Sequence, residues 1–342
     1  MKSKKILATL LAVVLALSLA ACGGSGGSGD SGSGGSSGDS GSSGGSGAYK
    51  ISMILKTNSS EFWQLVQAGA ETYASEHPDL VELSVKGPPS ESSYEDQLNM
   101  VQTDIANSSF DGYLIAPLQS EAVAAQIAGT DKPVIAFDTR IESDKVISFV
   151  GTGNEEAAKQ GAIAAVEAAK AAGWTDIKCI EIAGVQGDAT NTARMNGYRA
   201  GVNENGGEFL DNEVQYANAV ADQAVTCMEA VMSKFPDGVA IICSNNDDMA
   251  IAAARTAKGN PAYANTIFLG FDGQISACQT VLDGDMTMTA AQNNFDIGYK
   301  AVETMVQYLQ GESVSDFVDT GTEIITPDNA QARIDRMSGY LN

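Results

Sequence analysis

The stretch IFLGFDGQ, residues 267–274, begins with an apolar run that ends in a carboxylate, Asp272. An apolar run of this length predicts a β-strand buried on both faces of a sheet. Two other stretches have the same design: PVIAFDTR ends its apolar run at Asp138, and VAIICSNNDD ends its run at Asn246. Because ligands of open parallel sheets bind beyond the carboxyl ends of the strands, these three polar side chains are candidate ligand contacts.

Predicted strands and helices alternate along the chain from Ala48 onward. YKISMILKT predicts a strand before the helical EFWQLVQAGAETYASEH, and GVAIICSN predicts one before DDMAIAAARTAKG, whose expected N-terminal cap is Asp247. Alternation at this spacing favours βαβ units and parallel sheets. About a dozen strands are too many for one small sheet, so we predict an α/β fold with two doubly wound, parallel-sheet lobes.

The N-terminus has the features of an export signal. MKSKK is basic, ILATLLAVVLALSLAA is apolar, and LAAC, residues 19–22, resembles the bacterial lipoprotein cleavage box. The resemblance implies a lipoprotein signal peptide over residues 1–21 and acylation of the Cys22 thiol; a plain secretory signal with a chance cysteine is the alternative. The Gly/Ser-rich stretch up to residue 47 predicts a flexible linker. We therefore expect an extracytoplasmic protein that is anchored to the cell membrane by lipidated Cys22.

The composition argues against several other classes of function. A formal net charge of −23 repels phosphate backbones, so we expect no nucleic-acid partner. No cysteine pair has CxxC or another metal-ligand spacing, and we expect neither metal nor cofactor. Disulfide bonds stay an open question for the cysteines beyond the linker, which are Cys179, Cys227, Cys243 and Cys278.

Residues for covalent catalysis are scarce. His77 is the single histidine, and it lies at a predicted helix end, so a Ser-His-Asp or Cys-His system would have one poor candidate base. Asp138 and Asp272 could be the paired carboxylates of an exported glycosidase. Carboxylates also accept hydrogen bonds from sugar hydroxyls without catalysis, so we predict a binding protein and not an enzyme.

An aromatic pair lies beside the predicted strand ends. Phe62 and Trp63, in SEFWQ, follow the first predicted strand at the same edge of the sheet as the polar residues. An aromatic ring can cover the C–H face of a sugar, and each sugar hydroxyl both donates and accepts hydrogen bonds. A sugar site therefore needs carboxylates, amides and a guanidinium together, and the candidate residues supply that mixture.

Six segments occur in one order and spacing: KTNSSEFWQLVQAGAE, PVIAFDT, TARMNGYRAG, SNNDDMAIAA, FLGFDG and DGDMTMTAAQNNFDIG. By these segments the chain, from Ala48 to its end, resembles the ribose/galactose-type solute-binding proteins of bacterial ABC importers, which have the type I periplasmic-binding-protein fold. The resemblance implies two lobes joined by three crossovers. The N-terminal lobe would comprise residues 48–152 and 293–321, and the C-terminal lobe residues 153–292 and 322–342.

The resemblance also implies a set of ligand-binding residues, namely Ser60, Phe62, Trp63, Asp138, Arg194, Asn246, Asp272 and Gln292. This chain departs from the ribose pattern, because Thr139 replaces the arginine that usually follows the first aspartate and Lys56 adds a cation. The expected ligand is therefore a monosaccharide or related polyol. The expected partners of this monomer are the transmembrane subunits of an ABC permease; a receptor that presents a sugar-like signal to a sensor is the alternative.

Overall fold

The structure, a computed structural model, describes residues 47–341. The predicted signal peptide, the lipidation at Cys22 and the predicted linker up to residue 46 lie outside these residues. Within residues 47–341 no helix combines the length and the apolar character that crossing a bilayer requires.

The strands in chain order are β1 (Tyr49–Ile54), β2 (Val81–Lys86), β3 (Gly112–Ile115), β4 (Val134–Phe137), β5 (Val146–Gly151), β6 (Lys178–Ala183), β7 (Glu208–Phe209), β8 (Gln215–Tyr216), β9 (Ile241–Ser244), β10 (Ile267–Asp272), β11 (Met288–Gln292), β12 (Phe317–Asp319) and β13 (Thr322–Ile325). The α-helices are α1 (Glu61–Glu76), α2 (Tyr94–Asn107), α3 (Ser120–Ile127), α4 (Asn154–Ala171), α5 (Ala189–Glu204), α6 (Ala221–Lys234), α7 (Asp247–Ala257), α8 (Ile275–Leu282), α9 (Asn294–Leu309) and α10 (Ala330–Ser338).

These strands form two sheets. The first has the order β12-β5-β4-β3-β1-β2, and all of its strand pairs are parallel. The second has the order β13-β11-β10-β9-β6-β7, with β8 also paired to β6, and only the β11–β13 pair is antiparallel. We call the first sheet with its helices the first lobe and the second sheet with its helices the second lobe. The predicted fold class, two α/β lobes with parallel sheets, is confirmed.

The central strands are apolar because helices cover both faces of each sheet. Every residue of β3, β4, β9 and β10 is buried. In the first lobe α1 packs closely on α9, where Gly69 faces Gly298 across the helix crossing. A Cβ atom on Gly69 would lie 1.9 Å from the Phe295 carbonyl oxygen, and one on Gly298 would lie 1.8 Å from the Val66 oxygen. Only glycine permits this approach of the two backbones.

The chain passes between the lobes three times: between β5 and α4, between β11 and α9, and between β12 and β13. Arg333 of α10 fastens the second of these crossovers. Its guanidinium donates to the Gly273 carbonyl oxygen at 3.1 Å, to Asn294 Oδ1 at 2.6 Å and to the Gln292 carbonyl oxygen. The last helix is therefore part of the connection between the lobes, because the crossover backbone is hydrogen-bonded to it.

Candidate ligand-binding site

The site is a cavity at the carboxyl ends of the strands of both sheets, where the two lobes meet. Its lining residues are Lys56, Ser60, Phe62, Trp63, Glu91, Asp138, Gly184, Val185, Asp188, Thr190, Asn191, Arg194, Ala219, Asn245, Asn246 and Asp272. The free volume of the cavity is about 30 Å³. That is room for about one water molecule, so a larger ligand enters only when the lobes separate or the side chains move.

The two strand-end aspartates come from opposite lobes and share an unusual backbone conformation. Asp138 directly follows β4 and has φ +59°, while Asp272 ends β10 and has φ +122°. Aspartate tolerates the left-handed region better than most residues, and strained positions of this kind concentrate at functional sites. Both residues are at most 5% exposed. The structure thus brings together the two carboxylates that the sequence analysis singled out.

Arg194 of α5 is held entirely by groups of the second lobe. Its Nε donates to Asn154 Oδ1 at 2.8 Å, and its Nη1 donates to the Asn245 carbonyl oxygen at 2.6 Å. Nη1 also lies 3.5 Å from Asp272 Oδ1, and the guanidinium carbon lies 3.8 Å from the centre of the Phe271 ring. These contacts hold the buried Arg194 guanidinium in position at the cavity wall without any contribution from a ligand.

Asp272 depends on that cation and on one amide. Burial raises the pKa of Asp272 to about 7, although Arg194 and a 2.8 Å hydrogen bond from Gln292 Nε2 both oppose this rise. Gln292 is buried but does not line the cavity. Of the predicted site residues, Gln292 is therefore placed behind the wall, where it supports Asp272.

Lys56 forms a second charged centre, which spans the two lobes. Its Nζ donates to Asp188 Oδ2 of the second lobe and lies 3.7 Å from Asp138 Oδ2 of the first. Burial alone would lower the pKa of Lys56, but the carboxylates of Asp188 and Asp138 raise it to about 12. The lysine is thus a permanent cation between acidic groups of both lobes.

Glu91 follows β2 and lies close to this centre. Its Oε1 accepts a 2.9 Å hydrogen bond from Trp63 Nε1. Burial raises the pKa of Glu91 to about 7, against the opposing effects of Lys56 and of that hydrogen bond. Phe62 and Trp63 are both buried on the cavity wall and meet edge to face at 4.9 Å. The aromatic pair therefore serves the core and the site together.

Ser60 and Asn246 line the cavity and also make structural hydrogen bonds. Ser60 Oγ donates to Asp248 Oδ2 at 3.0 Å across the lobes, and Asn246 Oδ1 accepts from the Met249 N–H at 3.0 Å. Asn246 is therefore the N-terminal cap of α7. The prediction that Asp247 caps this helix is wrong.

Asp247 is instead a fully buried residue of the first turn of α7. It accepts hydrogen bonds from Thr289 Oγ1 at 2.7 Å and from the Gln274 N–H at 2.9 Å, and burial raises its pKa well above the ordinary value. The carboxylate points into the lobe, where partners from β11 and the β10–α8 turn are available, so the neighbouring amide is left to cap the helix.

The rim of the cleft is closed by Glu61, the first residue of α1. Its carboxylate accepts from the backbone N–H groups of Ile275 and Ser276, which open α8 in the second lobe. A carboxylate at a helix N-terminus is stabilised by the unpaired N–H groups and by the helix dipole. This contact, which we call the rim clasp, joins the lobes directly. Another link across the cleft is the 2.7 Å hydrogen bond between Thr139 and Thr190.

Apart from Lys56, five polar residues of the cavity wall lie outside the predicted set of ligand-binding residues: Glu91, Asp188, Thr190, Asn191 and Asn245. Each lies in a loop or helix start that follows the carboxyl end of a strand, β2, β6 or β9. That common position is the signal that could have identified them.

The described part of the chain offers no metal-binding cluster of His, Cys, Asp or Glu. The cysteines after the linker are free thiols in the structure. Cys179 and Cys243 lie on neighbouring strands with their Sγ atoms 3.4 Å apart, and both are buried.

Comparisons with known proteins agree with this architecture. The D-allose-binding periplasmic protein of Escherichia coli strain K12 is 28% identical over 269 residues, which cover 76% of this chain and 84% of that protein. The ribose import binding protein RbsB of the same strain is also 28% identical over 269 residues, which cover 77% of this chain and 86% of that protein.

A solved structure of an ABC transporter solute binding protein from Agrobacterium vitis, with bound D-fucose, is 27% identical. Its TM-score is 0.74, and the match covers 82% of this chain and 96% of that one. Residues 51–313 match the profile of the periplasmic binding protein domain. Since that match spans well over half of the chain, the protein belongs to the family of periplasmic binding protein domains.

Proposed function

We propose that this protein is the extracytoplasmic solute-binding component of a bacterial ABC importer, and that it captures a monosaccharide between its lobes and delivers it to the permease. The observation that carries the proposal is the chemical mixture on the cavity wall. Carboxylates, amides, a guanidinium and an ammonium converge there beside a buried aromatic pair.

This mixture matches the hydrogen-bonding needs of a sugar. The carboxylates of Asp138 and Asp272 accept from hydroxyl groups, while Arg194 and Lys56 donate to hydroxyl or ring oxygens. Trp63 offers an apolar surface for C–H groups. The relatives named for D-allose and ribose, and the neighbour with D-fucose, support a monosaccharide as the ligand class.

Capture would proceed by a hinge motion at the three crossovers. A ligand that contacts Asp138 on the first lobe and Arg194 on the second stabilises the closed form over the open one, because both sets of contacts exist only when the lobes meet. No bond is broken in this proposal, and the closed form is what the permease receives.

The cellular location of the protein is a further part of the proposal. Cleavage before Cys22 and acylation of its thiol would hold the two lobes near the outer face of the cell membrane through the linker that ends at residue 47. Mass spectrometry of the mature N-terminus tests this, since an unmodified cysteine would overturn it.

The proposed boundaries between the lobes, where the chain would pass from one to the other, are 152/153, 292/293 and 321/322.

A thermal-shift panel tests the function. Purified protein would be heated with D-ribose, D-allose, D-fucose, D-galactose and related polyols, and at 100 times its Kd a ligand should stabilise the fold by about 2.7 kcal/mol. Asp272→Ala should remove that stabilisation while the ligand-free protein stays folded. A panel in which no pentose, hexose or polyol shifts the midpoint would overturn the proposal.

A further inference from the structure

Glu181, in the middle of β6, is a buried acid that makes no contact with the cavity. It is 0% exposed, and its Oε1 accepts one 3.2 Å hydrogen bond from Asn245 Nδ2. Its Oε2 has no hydrogen-bond partner within residues 47–341. An ionisable group in the core with an unpaired oxygen is unfavourable for folding. Its presence therefore calls for an explanation in terms of what it holds.

What Glu181 holds is the wall of the ligand site. Asn245 lines the cavity, and its carbonyl oxygen is the 2.6 Å acceptor for Arg194 Nη1. The Asn245 amide also lies 3.4 Å from the Asn191 carbonyl oxygen, while Asn191 Oδ1 accepts from the Gly184 N–H at 2.7 Å. Glu181 thus holds the side chain of Asn245, and the main-chain carbonyl group of Asn245 holds Arg194.

We propose that Glu181 is a positioning residue of the ligand site: as a neutral carboxyl group it fixes Asn245 and leaves the full charge of Arg194 to the cavity, and its ionisation weakens ligand binding. Ionised Glu181 interacts electrostatically with Arg194, so it would be an anion in addition to Asp272 that competes with the ligand for this cation. This proposal rests on the proposed function of the cavity.

The surroundings of Glu181 agree with a neutral form at neutral pH. Burial raises the pKa of Glu181 to about 8, although Asn245, Arg199 and Arg194 oppose the rise. Burial also raises the pKa of Tyr198 and of Cys243 well above their ordinary values. The neighbours from α5 and β9 therefore keep their charge states between pH 7 and pH 9.5, in which range Glu181 ionises.

The sign of the stability change follows from proton binding. Between the ordinary glutamate pKa of about 4.3 and the folded value, the folded protein binds one more proton at Glu181 than the unfolded chain does. The contribution of Glu181 therefore makes the ligand-free protein less stable as pH rises from about 4.3 to about 8. Glu181→Gln, which stays neutral, should lack this contribution.

The binding test compares the wild type, Glu181→Gln and Glu181→Leu by calorimetric titration with a sugar from the thermal-shift panel, from pH 6.5 to pH 9.5. Asp272 and Glu91, whose pKa values are raised to about 7, ionise over the start of this range in all three proteins. The comparison is therefore the ratio of the wild-type Kd to the Glu181→Gln Kd, which should be about one at pH 7 and about ten at pH 9.5. Glu181→Leu, which leaves the Asn245 amide without its acceptor, should bind about tenfold more weakly throughout. Equal alkaline profiles of the wild type and Glu181→Gln, or wild-type affinity in Glu181→Leu, would overturn the proposal.

A measurement without ligand separates this proposal from the proposed function. The Nε–H resonance of Arg194, assigned with Arg194→Lys, should exchange slowly with solvent in the wild type and in Glu181→Gln at pH 7, and faster in Glu181→Leu. If no sugar binds but these exchange rates differ as expected, the proposed function fails while the positioning role stands. Identical exchange rates in all three proteins would refute the positioning role, whatever the ligand.

Discussion

Arg194 and Lys56 are the two buried cations of the cavity wall, and they are held in opposite ways. Every partner of Arg194 belongs to the second lobe: Asn154, Asn245, Asp272 and Phe271. Lys56 belongs to the first lobe, but its hydrogen-bond partner, Asp188, belongs to the second. The arginine half of the site is therefore complete within one lobe, while the lysine half is completed when the lobes meet.

This difference suggests an order of events. A preorganised cation loses little freedom on binding, so we expect the second lobe to provide most of the initial affinity. The lysine centre and the rim clasp contribute only in the closed form, so they should govern how long a ligand stays. Three substitutions, taken from the largest expected effect to the smallest, test this division.

Arg194→Ala should reduce affinity the most. Removing the guanidinium deletes a ligand donor and leaves Asp272 buried without its cation, and truncating one partner of a buried charge pair costs about 2–5 kcal/mol. We expect at least a 100-fold rise in the Kd for the sugar by calorimetric titration. The matched control is Arg199→Ala in the same helix, whose guanidinium pairs with Asp211 at 2.7 Å on the surface; its affinity should stay within about threefold. If Arg194→Ala raised the Kd less than Lys56→Met does, Lys56 and not Arg194 would provide most of the affinity.

Lys56→Met should destabilise the closed form of the protein. Without the ammonium, the carboxylates of Asp138 and Asp188 repel each other across the lobes, and the closed form loses its bridge. Small-angle scattering should show a larger radius of gyration, and the Kd should rise about tenfold, mainly through faster dissociation. The double variant Lys56→Met with Asp188→Asn should recover part of the loss, because the repulsion is removed. An unchanged radius in Lys56→Met would show that the lysine does not hold the lobes together.

Glu61→Gln should have the smallest effect. The amide oxygen still accepts from one backbone N–H group, but the charge that favours the start of α8 is lost. Stopped-flow measurement should show dissociation about threefold faster with an unchanged association rate. Glu71→Gln, farther along α1 on its exposed face, is the control and should leave both rates unchanged. A slower association rate in Glu61→Gln would show that the rim clasp acts when the ligand first binds and not by stabilising the closed form.

The fold was predictable from the sequence because its central strands are continuous apolar runs. β4, β9 and β10 each end beside a polar residue of the cavity wall, which located the cleft. The two-residue strand β7 and the short strands β12 and β13 were not predictable individually. They carry too few residues for a periodic pattern, and the pairing partner decides their conformation.

The parts of the site that escaped prediction depend on tertiary contacts. Arg333 looks like a surface residue of a polar C-terminal helix, since buried arginines are rare, yet it is 1% exposed and donates to the Gln292 carbonyl oxygen of the crossover. Asn246 and not Asp247 is the N-terminal cap of α7, because the Asp247 carboxylate has buried hydrogen-bond partners inside the lobe. The position of Asp188 and Glu91 after strand ends could be read from the sequence, but their interaction with Lys56 could not, because Lys56 reaches them only in the folded chain.

The end of the chain offers a way to observe the lobes at work. Arg333 attaches α10 to the crossover, and a few residues later the ring of Tyr340 stacks on Phe295 of α9, with 3.9 Å between ring centres. The tail therefore touches elements that belong to both halves of the molecule. An environment-sensitive dye placed at position 340 would sit on the pivot, away from the ligand, and would turn this receptor into an optical sensor of its own solute.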